Sequence, residues 1–128
     1  MKCRLTLPSL CSLVLAISLA PAFGATVIWD GGGADNGWST GNNWDSNTVP
    51  TTATPFDDVQ FAGSVRTAVN VDTDVTVKTL KFNSGASAFD LSGTGTITVN
   101  GQGTGSGDSG LDFRNESSAL QTINNKII

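Results

Sequence analysis

The sequence predicts an all-β protein: a right-handed parallel β-helix carrying an N-terminal Trp/Gly-rich cap and preceded by a cleaved leader. Three observations predict it. Apolar residues alternate with polar ones over short runs, the runs are separated by turn chemistry and never by helical spacing, and the C-terminal half superposes on itself after a shift of 31 residues.

The N-terminal element, residues 1–24, has the pattern of a signal peptide. Lys2 and Arg4 precede an apolar run from Leu10 to Ala20, too short for a helix that crosses a bilayer. Ala22 and Gly24 then stand at the minus-three and minus-one positions of a small-x-small site, so cleavage is expected after Gly24, with cleavage after Ala22 as the alternative. Both cysteines, Cys3 and Cys11, lie in this segment, so the processed chain has no thiol. Cys11 is not placed as a lipidation site, because Pro8, Ser9 and Leu10 make a poor lipobox and the apolar run follows the cysteine. The expected destination is secretion or the cell surface, and no later segment is apolar enough to span a membrane.

Residues 25–64 form the second element and hold all three tryptophans: Trp29, Trp38 and Trp44. Trp29 ends an alternating run, and Trp38 and Trp44 are bracketed by Ser, Thr, Asn and Gly. Such indoles are expected to fold over the first coil and plug it, their N–H groups satisfied by turn carbonyls. The alternative is a carbohydrate-stacking face made of Trp29, Trp38 and Trp44.

The third element, residues 65–128, is read as the repeat region. Strands are expected at Val69/Val71, Val75/Val77, Leu80/Phe82, Phe89/Leu91 and Ile97/Val99. Turns are expected at Asn83-Ser84-Gly85, at Ser92-Gly93-Thr94-Gly95 and along Asn100 to Gly110, where Gly and Asn accept positive φ at little cost. The shift of 31 places Leu80 on Leu111, Phe82 on Phe113, Ser87 on Ser118, Ala88 on Ala119, Phe89 on Leu120 and Ile97 on Ile128. Leu111, Leu120 and Ile128 are therefore expected to stack on Leu80, Phe89 and Ile97 in coils of roughly 20 to 30 residues. An antiparallel sandwich is the competing architecture, but it has no need of such a register. The sequence stops in what reads as the middle of a strand, so further β-helix coils or self-association are expected at the C-terminal end, and the chain reads as a truncated piece of a longer one.

A family resemblance follows from these motifs. Trp29-Asp30-Gly31-Gly32, Trp38-Ser39-Thr40, Asn42-Asn43-Trp44, Pro50 and Asp57-Asp58-Val59-Gln60-Phe61 resemble, in order, the N-terminal signature of bacterial autotransporter-associated β-strand repeat proteins. Val69-Asn70-Val71-Asp72, Leu80-Lys81-Phe82-Asn83-Ser84-Gly85 and Gln121-Thr122-Ile123-Asn124-Asn125 are similar to the repeats of the same family. The resemblance implies an exported passenger region with a structural or adhesin-like role and no single catalytic activity. The family often ends in a translocator barrel or a sorting anchor, and this sequence has neither.

Composition narrows the chemistry. Without the leader, five scattered cations (Arg66, Lys78, Lys81, Arg114 and Lys126) face eleven acidic residues, a formal charge of about −6, which disfavours nucleic acid and anionic membranes as partners. The passenger resemblance leaves an extracellular polysaccharide or another cell surface as the partner class to test, with no ligand readable from the sequence. There is no His, no Tyr and no thiol after processing, so the common triads, thiol nucleophiles and zinc sites are excluded. Carboxylate chemistry would have to come from Asp72, Asp74, Asp90 and Asp112, whose spacing brings no two together, and no catalytic residue is assigned. Asp30 to Gly37 superficially looks like a calcium loop but fits neither the EF-hand nor the Gly-Gly-x-Gly-x-Asp pattern, and Asp57-Asp58 and Asp72-Thr73-Asp74 read as solvated faces. No metal or cofactor is expected. Asn115-Glu116-Ser117 formally fits an N-glycosylation acceptor, a match without meaning if the chain is bacterial as the resemblance implies.

Overall fold

The computed structural model describes residues 24–101 and 113–128. Residues 1–23 of the leader, Leu111, Asp112 and most of the Asn100–Gly110 turn lie outside the described residues.

The described chain is all-β and its strands pair in parallel. They are β1 (Thr26–Trp29), β2 (Asp58–Phe61), β3 (Ala68–Asn70), β4 (Val75–Val77), β5 (Thr79–Phe82), β6 (Asp90–Ser92), β7 (Ile97–Val99), β8 (Phe113–Asn115) and β9 (Thr122–Ile123). A single 3-10 turn at Gly41–Asn43 is the only helical element among the described residues. No described helix is long and apolar enough to cross a membrane. Three sheets result, with strand orders β1-β2-β5-β8, β3-β6-β9 and β4-β7. From β2 onward the chain visits the first, second and third sheet in turn, twice over, before adding β8 and β9 to the first two.

Each strand obtains its orientation from the alternation in its sequence. Val27 and Trp29, Val59 and Phe61, and Leu80 and Phe82 point into the core, while the residues between them face outward. Because strand side chains alternate with period two, a slip of one residue would turn each such strand inside out. Register is correspondingly strict: Val27 pairs with Val59 and Val59 with Leu80, and Trp29 pairs with Phe61 and Phe61 with Phe82. In the second sheet Val69 pairs with Leu91 and Leu91 with Ile123, and in the third Val75 pairs with Ile97 and Val77 with Val99. All the alternating pairs expected of the repeat region are strand residues or flank one directly. Each is buried except Val99, which packs against the core half-buried. Burial at about 1.5 to 3 kcal/mol per large apolar side chain makes these rows the main source of stability.

The 31-residue register is corrected. Leu80 pairs with Phe113, and Phe82 pairs with Asn115, not with Phe113. Leu91 pairs with Ile123, and Ile97 bridges to Ile127. Leu120 and Ile128 are exposed, at 82% and 62%, and do not stack in the core on Phe89 and Ile97. The physical cause is unequal loop length. The first sheet steps by 33 residues from β5 to β8, two more than 31, so inward and outward positions keep their sense and the shift looks correct there. From β6 to β9 the step is 32, which reverses the sense and sends Leu120 outward. The Phe89 N–H is then satisfied by the side chain of Gln121, through Oε1 at 2.9 Å. Earlier steps are 32 residues from β1 to β2, and 21 or 22 between β2 and β5, β3 and β6, and β4 and β7.

The turns stack as tightly as the strands. Gly95 lies against the turn beneath it, where an added Cβ would come within 2.0 Å of the Thr73 carbonyl oxygen, so no side chain fits there. The Gly95 N–H donates to the Val71 carbonyl at 2.8 Å, and Val71 N–H donates to Ser92 O, so adjacent turns are bonded through their backbones.

Candidate functional site

The three tryptophans converge at the β1 side of the molecule. Trp29 is delivered by the inward position of β1. Trp38 is fixed by its N–H, which donates to Asn70 O at 2.8 Å at the end of β3, while Asn70 N–H donates to Asn36 O. Trp44 follows the 3-10 turn and bridges Trp29 in antiparallel sense. The three indoles and Phe61 form one aromatic cluster. Trp29 meets Trp44 edge to face at 5.1 Å between ring centroids, Trp38 meets Trp44 at 4.9 Å, and each lies about 6 Å from Phe61. Phe61 stacks on Phe82 at 5.1 Å, and Phe82 contacts Phe113 at 6.3 Å, continuing an aromatic row across the first sheet.

All three indoles are 0% exposed. A sugar ring stacks on an open aromatic face, and Trp29, Trp38 and Trp44 offer none. The indole nitrogens have unequal surroundings: Trp44 Nε1 donates to Trp38 O at 2.8 Å, Trp29 Nε1 to Val65 O at 3.4 Å, and Trp38 Nε1 has no oxygen acceptor among the described residues.

Asn43 organises the loop over this cluster. It is fully buried, accepts from Gly33 N–H at 2.9 Å through Oδ1, and donates from Nδ2 to Asp35 O at 3.1 Å and Gly37 O at 2.9 Å. Its own carbonyl accepts from the N–H groups of Asp30 and Gly31. Asp45 N–H donates to Ile28 O, and the Asp45 carboxylate accepts from Ile28 N–H. Residues 43–45 therefore occupy the outer edge of β1, and residues 36–38 occupy that of β3. Sequence reasoning assigned Asn43 no such role. Its only signal was an Asn-Asn pair before a tryptophan, which cannot be told from turn composition.

Of the carboxylates singled out for chemistry, Asp72 and Asp74 lie between strands and Asp90 begins β6, each holding backbone or a neighbouring polar group. Asp72 accepts from the Ser39 N–H at 3.1 Å and from the Ser39 hydroxyl. Asp74 accepts from Thr96 N–H at 2.7 Å, and Asp90 from Asn124 Nδ2 at 3.0 Å. Asp112 is outside the described residues. Asp30 accepts from Gly32 N–H, and Asp35 from Gly37 N–H and the Thr40 hydroxyl, so the loop from Asp30 to Gly37 is a pair of side-chain-closed turns. The Thr40 hydroxyl first, and then the Gly37 amide, hold the Asp35 carboxyl below its ordinary range. Among the described residues no group of three or more acidic, His or Cys side chains could hold a metal ion.

The outward rows of the first sheet are polar and mixed in charge. Thr79 donates to Asp58 at 2.8 Å, Asn83 to Gln60 at 3.0 Å, and Lys81 pairs with Glu116 at 3.0 Å. No family model, curated protein or solved structure matches this chain in sequence or fold.

Proposed function

We propose that this chain is an exported, right-handed parallel β-helical passenger segment with a structural or adhesin-like role and no catalytic one. The observation that carries the proposal is the cyclic order of the strands. A chain that adds one parallel strand to each of three sheets in turn, with inward residues paired to inward residues from β2 to β7, advances as a coil. The right hand follows from the twist preference of parallel crossovers. In this reading the tryptophan cluster and the Asn43 loop close the first coil, and the outward rows present a long, solvated surface for display, spacing or contact with a polysaccharide or another cell. Such a body needs neither disulfide nor cofactor, which suits a chain whose only cysteines lie in the leader.

The test is leader-dependent surface display. The full chain is produced in a bacterial host, and protease accessibility on intact cells is compared with that of a form lacking Leu10 to Ala20. The expected outcome is an accessible or released full chain and a protected, cytoplasmic deletion form. Equal protection of both would overturn the proposal.

A further inference from the structure

Asp57 is a buried carboxylate with no cation beside it among the described residues. It is 7% exposed, and its two oxygens accept from two backbone N–H groups: Oδ1 from Ala25 at 2.8 Å and Oδ2 from Thr51 at 2.8 Å. The ion pairs nearby and beyond go elsewhere, Lys78 to Asp58 and Lys81 to Glu116. A carboxylate withdrawn from water and met only by neutral donors bears a desolvation cost that a positive charge at hydrogen-bond distance would offset. The Ala25 nitrogen is the atom that the expected cleavage after Gly24 would charge. Ala25 is further anchored by its carbonyl, which accepts from Asp58 N–H at 2.8 Å. The residue before it has no room to spare, since a Cβ at Gly24 would stand 1.8 Å from the Phe56 carbonyl oxygen.

We infer that Asp57 is the receptor for the α-ammonium group created at Ala25 when the leader is removed, so that processing completes the fold. The inference rests on the export reading above. Hydrolysis by a leader peptidase adds one water across the Gly24–Ala25 amide. The C–N bond breaks, the hydroxyl goes to the Gly24 carbonyl carbon to give a carboxylate, and the Ala25 nitrogen takes up the protons to become an ammonium. The Ala25 N–H to Asp57 carboxylate contact, charged on the acceptor alone, becomes an ammonium–carboxylate ion pair at the same atom, charged on both sides. The same pair also ties the start of β1 to the segment that leads into β2, so the charge stabilises the first rung of the first sheet.

The experiment has two stages. The exported protein is isolated and its N-terminus read by mass spectrometry, with Ala25 expected. Urea unfolding is then compared for that protein with its α-amine free and with it enzymatically acetylated, in the native sequence and in Asp57→Asn. The free amine is expected to raise the folding equilibrium constant about five- to tenfold over the acetylated form. That gap should narrow in roughly 1 M salt, as a contact between neutral groups would not, and close in Asp57→Asn. Should Asp57→Asn fail to fold, acetylation and salt decide alone. An unprocessed, unexported chain sinks the export reading and the inference together. Export with an N-terminus at Phe23 sinks only the inference, as does a mature Ala25 terminus whose acetylation leaves the midpoint unmoved.

Discussion

Trp38 and Trp44 are equally buried and touch each other, yet their nitrogens do different things. Trp44→Phe removes the donor to the Trp38 carbonyl and leaves that oxygen unpaired in the core, whereas Trp38→Phe removes an N–H that has no oxygen acceptor among the described residues. Both substitutions lose similar volume, so the difference isolates the hydrogen bond. Trp44→Phe is expected to be the more destabilising by about 1 to 3 kcal/mol, checked by urea denaturation of the two variants side by side. Asp35 gives a pH prediction. Its carboxyl is held below the ordinary value of 3.8 by the Thr40 hydroxyl and the Gly37 amide. A depressed carboxyl contributes stability that is fully present above its unfolded value and is lost as pH falls through the folded one. Asp35→Asn is therefore expected to weaken the acid dependence of the unfolding midpoint below about pH 4 and to leave its slope near pH 7 unchanged, as a pH series of thermal melts would read.

Among elements, β2 and β9 mark the extremes. Phe61 of β2 pairs with Trp29 on one side and Phe82 on the other, and its ring contacts all three tryptophans and Phe89. Phe61→Ala is expected to cost about 3 to 5 kcal/mol, enough to unfold a marginal domain. Leu120, just before β9, occupied a core position in the 31-residue register and is in fact exposed, so Leu120→Ser should change stability by no more than about 0.5 kcal/mol. Chemical denaturation of the pair discriminates the two registers. That contrast also shows what the sequence made legible. The alternating pairs from Val69 to Ile97 could be read because a half-buried strand repeats with period two within a few residues. The pairing between strands could not, because it depends on loop lengths that differ by a single residue between neighbouring sheets, and on a side chain, that of Gln121, taking the place of a backbone partner.

In the whole molecule, the visible and the hidden divide along the same line. Parallel pairing is expected from an internal repeat whose 31-residue step is 33 between β5 and β8 and 32 between β6 and β9, whereas the location of the core and the gathering of tryptophans at one place follow from alternation and from the Trp-rich N-terminal segment. The occupation of the β1 edge by residues 43–45 does not, since the antiparallel bridge between Trp29 and Trp44 joins positions whose sequences both read as loop or strand end. Nor does the placement of Asp57, whose carboxylate appeared in the sequence as one member of a solvated Asp-Asp pair and is buried, while its neighbour Asp58 faces Lys78 and Thr79.

The occupied outer edges of β1 and β3 give the molecule a polarity. Strand-by-strand growth needs a template edge with backbone groups still seeking partners, and at this face of the first two sheets those groups are already engaged by the chain's own loop. Any strand that joins these sheets must do so on the far side of β8 or β9. Nose-to-tail pairing of copies through the outer edges of β1 and β3 would have to displace the contacts at Ile28 and Asn70, because propagation requires two complementary faces. The loop that buries the tryptophans thus also guards these edges, at Ile28 and Asn70, against a further strand.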